Sequence, residues 1–345
     1  MMASKDMPTL PKNFGSVFWK NQFRTKIEIP TPSTYPSLKD KTAIITGANT
    51  GLGYETARQL LTLGLSQLIV AVRSIDKGNA AAEELRHVSP SAAIQVWALD
   101  MESYNSIQAF VRRCESDLSR IDYTILNAGI ANIEPVTTAA TGHDQVIQVN
   151  HISTVLLTIL LLPVLKTKSP GENAAKLTVV NSVTAHLAKF PNRDQRPLLP
   201  SFDDPSILSY NSSERYGVSK LLCQLFLVKL TEQIRSEDVV INMVDPGLTT
   251  GTGLHRQAKG ALRAVVVVLH AVAARSLEQG AATYVDAAVA KGRESHGCFI
   301  MNEEIAPLAT FYYTPDGKKA MDAIWDETLR ELSFANVEEV LTSMK

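Results

Sequence analysis

Tyr216 and Lys220 stand four residues apart in the stretch RYGVSK, which reads as helix. At that spacing two side chains share one helix face. A phenol of pKa near 10 is a poor proton relay near neutral pH. An ammonium about 5 Å from the phenolate would favour the charged form by roughly 3 kcal/mol at an effective dielectric near 20. That corresponds to a fall of about two pKa units, so the pair suits proton transfer. Ser182 is a second candidate, because it ends the apolar run KLTVVNS. In an open α/β sheet ligands bind outside the carboxyl ends of the strands, where a hydroxyl can bond an oxygen that gains charge. Asn150 is a third, a residue poorly suited to a helix interior and set just before a long apolar run.

The elements that must position these groups alternate along the chain. From residue 41 onward short β-branched runs are followed by helical stretches: TAIIT, QLIVAV, IQVWAL, DYTILN, KLTVVNS, VVINMV and GCFIMN read as strands. Helices are expected over about 51–64, 77–87, 103–118, a long segment ending near 166, and 213–235. Continuous apolar strands alternating with helices signal a parallel sheet covered on both faces. The fold class is therefore α/β, a doubly wound parallel sheet of about seven strands in a single domain. Residues 1–38, rich in Pro, Ser, Thr and Lys with no clear period, read as an extended arm, and 39–345 as the catalytic domain. The long polar stretch before Tyr216 and the segment after the sixth strand, about 187–213 and 250–275, read as substrate loops.

TGANTGLG, residues 46–53, follows the first strand and opens the first helix. Glycines there allow a tight turn and a close backbone approach to a pyrophosphate, and a helix N-terminus offers free N–H groups to the anion. The candidate contacts are Gly47, Asn49, Thr50, Gly51, Leu52 and Gly53. At the end of the second strand the chain has Arg73 and no carboxylate. A guanidinium matches phosphate oxygens and stacks on adenine, which favours NADP over NAD.

The Gly-x-x-x-Gly-x-Gly spacing, LNAG at residues 126–129 and YGVSK together resemble the short-chain dehydrogenase/reductase family over about residues 40–302. The arm, the RYGVSKLL context and the long preceding loop are most similar to its retinol-dehydrogenase-like branch, especially fungal members acting on natural products. The resemblance implies a Rossmann-type fold and a catalytic set of Asn150, Ser182, Tyr216 and Lys220. In it Tyr216 exchanges the proton, Ser182 bonds the substrate oxygen, Lys220 also holds the ribose of the nicotinamide side, and Asn150 positions a water. It implies that Asp100 contacts the adenine, although a helix cap is an equal reading of that residue. It also implies that Asn127, Ala128 and Gly129 border the cofactor, and that Pro246, Gly247 and Leu248 cover the nicotinamide. Thr249, Thr250 and Thr252 compete for the carboxamide contact, with Thr250 preferred. The expected activity is NADPH-dependent interconversion of a carbonyl and an alcohol on an apolar small molecule such as a secondary-metabolite intermediate. Val265, Leu269 and Phe190 suggest the apolar substrate by composition alone. The competing reading is a catalytically silent dinucleotide sensor or scaffold.

Bulk properties agree with a soluble enzyme. The chain has 345 residues, 45% apolar and 20% charged, with a net charge of −1 and no basic patch for nucleic acid. Three scattered cysteines argue against a disulfide framework or a zinc site, and no metal is expected. A reducing, cytoplasmic setting fits best, since no signal-like segment opens the chain. The apolar runs 152–165 and 261–274 are shorter than a spanning helix. The first reads as a core helix and equally as a face for pairing into a homodimer. The second reads as a lid or interfacial helix, compatible with weak membrane association.

Overall fold

The computed structural model describes residues 2–11, 13–169, 171, 173–251 and 273–345. The strands are β1 (Thr42–Thr46), β2 (Gln67–Val72), β3 (Ala93–Ala98), β4 (Tyr123–Leu126), β5 (Ala175–Val180), β6 (Val239–Asp245), β7 (Phe299–Met301) and β8 (Glu304–Ala306). They form one sheet in the order β3-β2-β1-β4-β5-β6-β7-β8. Every pairing is parallel except that of β7 with β8. The sheet thus has eight strands where about seven were expected. The eighth is a three-residue return after Asn302 and Glu303, which both hold a left-handed φ, 57° and 63°.

The helices are α1 (Phe14–Trp19), α2 (Gly51–Thr62), α3 (Ile75–Val88), α4 (Tyr104–Asp117), α5 (Gln145–Thr167), α6 (Ser212–Thr231), α7 (Leu277–Val285), α8 (Pro315–Glu331) and α9 (Val337–Ser343). Buried side chains of α4, α5 and α6 form one core with Trp97, Leu177 and Phe299, on one face of the sheet. Those of α2, α3 and α7 form the other with Ile45, Val70 and Val244. The chain order therefore reverses between β1 and β4, the switch point where such sheets bind ligands.

Helix α5 is long and apolar enough to cross a membrane, but 89% of its most apolar window lies buried inside the fold. Leu156, Leu157, Ile159, Leu161 and Leu162 are fully covered. At about 1.5–3 kcal/mol for each such side chain, burial within one subunit accounts for the apolar run. Helix α8 seals that core. Trp325 stacks on Phe226 at 4.7 Å, and His151 Nε2 bonds Thr328 Oγ1 at 2.9 Å.

Two expectations change. The arm is not simply extended: α1 runs on into a π-helical turn at Lys20–Arg24. The stretch is too short to display a periodic face in the sequence. Phe190, expected near the substrate, is fully buried, stacked on Phe202 at 6.1 Å and edge-on to Phe311 at 5.6 Å. The loop at 187–213 is pinned to the body. Glu214 accepts from Lys189 N and Phe190 N, both at 2.8 Å. Glu327 of α8 accepts from Leu198 N and Leu199 N. Thr252, Val265 and Leu269 lie outside the described residues, as does most of the second loop.

Candidate active site

The four chemical candidates meet at the carboxyl ends of β4 and β5. Helix α6 begins with Asn211, whose side chain accepts from Glu214 N, and carries Tyr216 and Lys220 one turn apart. Gly217 lets that helix close on the turn after β5: an added Cβ would lie 3.1 Å from Thr184 O. On that turn stands Ser182, only 9% exposed. Its Oγ accepts from Thr184 N at 3.2 Å and from Thr184 Oγ1 at 2.9 Å. The Ser182 side chain lies near enough to the Tyr216 phenol to pull its pKa down.

Lys220 is buried, and its Nζ donates to Val180 O at 2.9 Å, 5.8 Å from the centroid of the Tyr216 ring. Asn150 lies in a π-helical turn, Gln148–Ser153, at the start of α5. Such turns recur at functional sites, because the extra residue re-aims a side chain. Here Asn150 Oδ1 accepts from Ile130 N at 2.9 Å, and Nδ2 donates to Ile130 O at 2.8 Å and Ser219 Oγ at 3.0 Å. The LNAG loop, α5 and α6 are locked by this one amide. A Cβ added at Gly129 would press on Asn150 Oδ1 at 3.2 Å and on Lys220 Nζ at 3.5 Å.

The electrostatics differ from the sequence expectation. Burial raises the Tyr216 phenol above its ordinary pKa, and the nearby Asp245 carboxylate adds to the rise; Ser182 opposes it. Burial also lowers the Lys220 ammonium. Desolvation is the leading cause for both groups, so the polypeptide by itself favours the neutral phenol. Asp245 was missed in the sequence, although it stands immediately before the Pro-Gly pair. Its Oδ1 accepts from Val183 N at 2.8 Å and its Oδ2 from Gly247 N at 3.0 Å. One carboxylate thereby ties the Ser182 turn to the Pro-Gly loop.

The nucleotide turn has the shape the glycines demand. Gly47 and Gly51 take positive φ, 67° and 60°. A Cβ on Gly53 would fall 2.5 Å from Asn127 Nδ2 and 2.8 Å from Gly47 O. Asn127 Nδ2 donates to Thr46 O at 2.8 Å, and Ala128 N donates to Thr46 Oγ1 at 2.9 Å, joining LNAG to the turn. Thr50 occupies the N-cap of α2 without a capping side-chain bond, whereas Ser74, Ser103 and Asn211 cap α3, α4 and α6. The first turn of α2, with Leu52 and Gly53, thus keeps N–H groups that no cap satisfies, and Asn49 stands just before it. These residues fit a dinucleotide pyrophosphate.

Arg73 directly follows β2 and is 69% exposed on its side chain, with Nη1 donating to Glu102 Oε1 at 2.6 Å. Asp100 does not cap α4; Ser103 does. Asp100 Oδ1 instead accepts from Glu102 N at 3.0 Å. In the loop after β6, Thr249 is buried with its hydroxyl turned back to Gly247 O at 3.2 Å. Thr250 Oγ1 donates to Arg275 O at 3.2 Å. Pro246 O receives Arg275 Nη1 at 3.2 Å.

A doubly wound parallel sheet with a glycine-lined turn at its switch point defines a Rossmann-type nucleotide-binding protein. The sequence profile described as short chain dehydrogenase matches residues 41–190. The chain is 48% identical to the short chain dehydrogenase/reductase mfmJ of Annulohypoxylon moriforme, over 100% of this chain and 99% of that one. It is 40% identical to the short chain dehydrogenase virL of Hypocrea virens, covering 95% and 94%. Among solved structures, an uncharacterised protein of Mycobacterium paratuberculosis superposes with a TM-score of 0.61 at 24% identity, over 88% of this chain and 97% of that one. The Pseudomonas aeruginosa RhlG/NADP active-site complex does so with 0.58 at 20% identity, over 76% and 95%. The chain belongs to the short-chain dehydrogenase/reductase family and is an oxidoreductase of that class.

Proposed function

We propose that the protein is an NADPH-dependent reductase or dehydrogenase that interconverts a carbonyl and an alcohol on an apolar small molecule, such as a secondary-metabolite intermediate. The supporting observation is that Tyr216, Ser182, Lys220 and Asn150 meet beside the Gly129 backbone at the ligand edge of the sheet. A bound nicotinamide supplies or takes the hydride. The side chains handle the proton. Tyr216 gives its phenolic proton to the substrate oxygen in reduction and, as the phenolate, takes the alcohol proton in oxidation. Ser182 Oγ hydrogen-bonds the same oxygen as its charge changes. Lys220 sets charge over the Tyr216 ring and reaches the ribose hydroxyls. Asn150, fixed by Ile130 and Ser219, positions a water that links Lys220 to solvent.

NADP as the cofactor is supported by Arg73 at the end of β2, with further donors beyond the one that pairs with Glu102. RhlG, which is solved with NADP, has the same fold. The assignments of Gly47 to Gly53, Asp100, Asn127 to Gly129 and Pro246 to Thr250 to that cofactor are part of this proposal. So is the division into an arm at 1–38 and a catalytic domain at 39–345. With Phe190 in the core, the apolar substrate class rests on the family resemblance. Three free, buried cysteines suit a reducing compartment.

The test is NADPH oxidation with a panel of ketones and aldehydes, run beside NADPH binding. Turnover that disappears in Tyr216→Phe supports the reading. Binding without turnover across the panel would replace it with a dinucleotide sensor.

A further inference from the structure

The arm at the start of the chain reaches the loop after β6. Gln22 Nε2 donates to Leu248 O at 2.9 Å and to Ala273 O at 2.7 Å. Arg275 closes the same junction. Its N–H donates to Leu248 O at 2.8 Å, and its carbonyl accepts from Thr250 N at 3.0 Å. Its guanidinium donates to Pro246 O at 3.2 Å, to Asn21 O at 2.8 Å and to Asn302 Oδ1. Asn302 in turn donates to Asn21 Oδ1 at 2.8 Å. Gly247, at φ 73°, is hemmed in by both groups: an added Cβ would lie 2.8 Å from Arg275 Nη1 and 2.9 Å from Gln22 Oε1.

The backbone at 246–250 therefore takes much of its hydrogen bonding from two residues more than twenty positions away in sequence, Gln22 and Arg275. A loop held only by its neighbours must be ordered when ligand arrives, and that ordering weakens binding. Bracing it during folding removes the cost from the binding step. Gln22 is well suited to the task, because a single amide spans two carbonyls on separate chain segments.

We propose that Gln22, with Asn21 beside it, is a positioning residue for the cofactor site, pre-setting the Pro-Gly loop that faces the nicotinamide. This rests on the proposed function of that loop. The arm is then a working part of the site and not a dispensable leader to the domain.

The test is Gln22→Met, which preserves side-chain volume and removes both donors. We expect NADPH to bind on the order of tenfold more weakly, KM for NADPH to rise in step, and kcat to change by less than about threefold. Amide exchange at 248–251 should quicken in the protein without ligand. Trp19→Ala, at a half-exposed ring on the same arm, should leave all of these unchanged. A folded Gln22→Met with wild-type NADPH affinity and wild-type exchange overturns the proposal. Should that variant fail to fold, Gln22→Glu sets an acceptor against the two carbonyls, and unchanged affinity there overturns it equally. Binding and exchange need no turnover. A wild type that binds NADPH yet reduces nothing would sink the proposed activity and leave this test standing.

Discussion

Lys220 presents its ammonium to the face of Tyr216, 5.8 Å from the ring centroid, while donating to Val180 O at 2.9 Å. Val180 is the last residue of β5, two positions before Ser182. The lysine thus fastens the tyrosine helix to the strand that delivers the serine. Tyr216→Phe removes only the phenolic oxygen. It should lower kcat by about a thousandfold, within the usual range for loss of a general acid or base. NADPH affinity should stay within about twofold. Lys220→Met should lose both quantities, because it also unties the helix. Near-wild-type turnover in Tyr216→Phe would refute the mechanism.

Cofactor choice can be tested at the pair formed by Arg73 and Glu102, 2.6 Å apart. Arg73→Ala should reduce kcat/KM with NADPH by about tenfold or more and hardly alter that with NADH, since a charge-assisted contact to the 2′-phosphate disappears. Glu102→Gln releases the guanidinium and should strengthen the NADPH preference. If the ratio of the two cofactors is the same in Arg73→Ala as in wild type, Arg73 does not read the phosphate.

Gly53 offers a steric test of the nucleotide turn. A methyl there would meet Asn127 Nδ2 at 2.5 Å, Gly47 O at 2.8 Å and Ala48 Cα at 3.1 Å, two of them backbone. Gly53→Ala should cost about 1–3 kcal/mol in denaturant unfolding and lose most NADPH affinity, because Asn127 must swing off Thr46 O. Gly171→Ala, exposed with nothing within 4 Å, brings backbone strain at φ 88° but no steric clash, and should leave NADPH binding unchanged. Equal NADPH affinity in Gly53→Ala and wild type would contradict a pyrophosphate at this turn.

The parts legible in the sequence were those that local backbone chemistry dictates. Gly47 and Gly51 need left-handed φ, and Tyr216 and Lys220 need one helix turn, so their spacing is visible in a short window. Asp245 reaching Val183 N and Gln22 reaching Leu248 O depend on folding that brings distant segments together. Nothing in either local stretch announces them. Phe190 misled for the opposite reason. An aromatic in a polar loop looks like a ligand contact until Phe202 and Phe311 claim it for the core. The downward shift foreseen for Tyr216 counted attraction by Lys220 and left out the desolvation that comes with burying both groups.

A pH-dependent brace ties the loop at 187–213 to helix α8. His143 Nδ1 lies 2.8 Å from Asp203 Oδ2, and its Nε2 lies 3.4 Å from Glu331 Oε1, which also accepts from Tyr104 OH at 3.0 Å. These two carboxylates raise the imidazole to about 9, more than burial lowers it, and the same contact lowers Glu331. A group whose pKa rises on folding stabilises the fold fully below its unfolded pKa, near 6.5, and loses that contribution as pH climbs through the folded value. The shift corresponds to about 3 kcal/mol at most, present below about pH 6.5 and gone above about pH 9. Glu331 acts in the opposite sense, its share vanishing as the pH falls through its lowered pKa. Urea unfolding from pH 6 to 10 should therefore show wild type losing stability with rising pH, while His143→Gln, which retains a donor without a charge, shows a flatter curve. Parallel curves for the two proteins would mean that His143 is neutral in the folded chain.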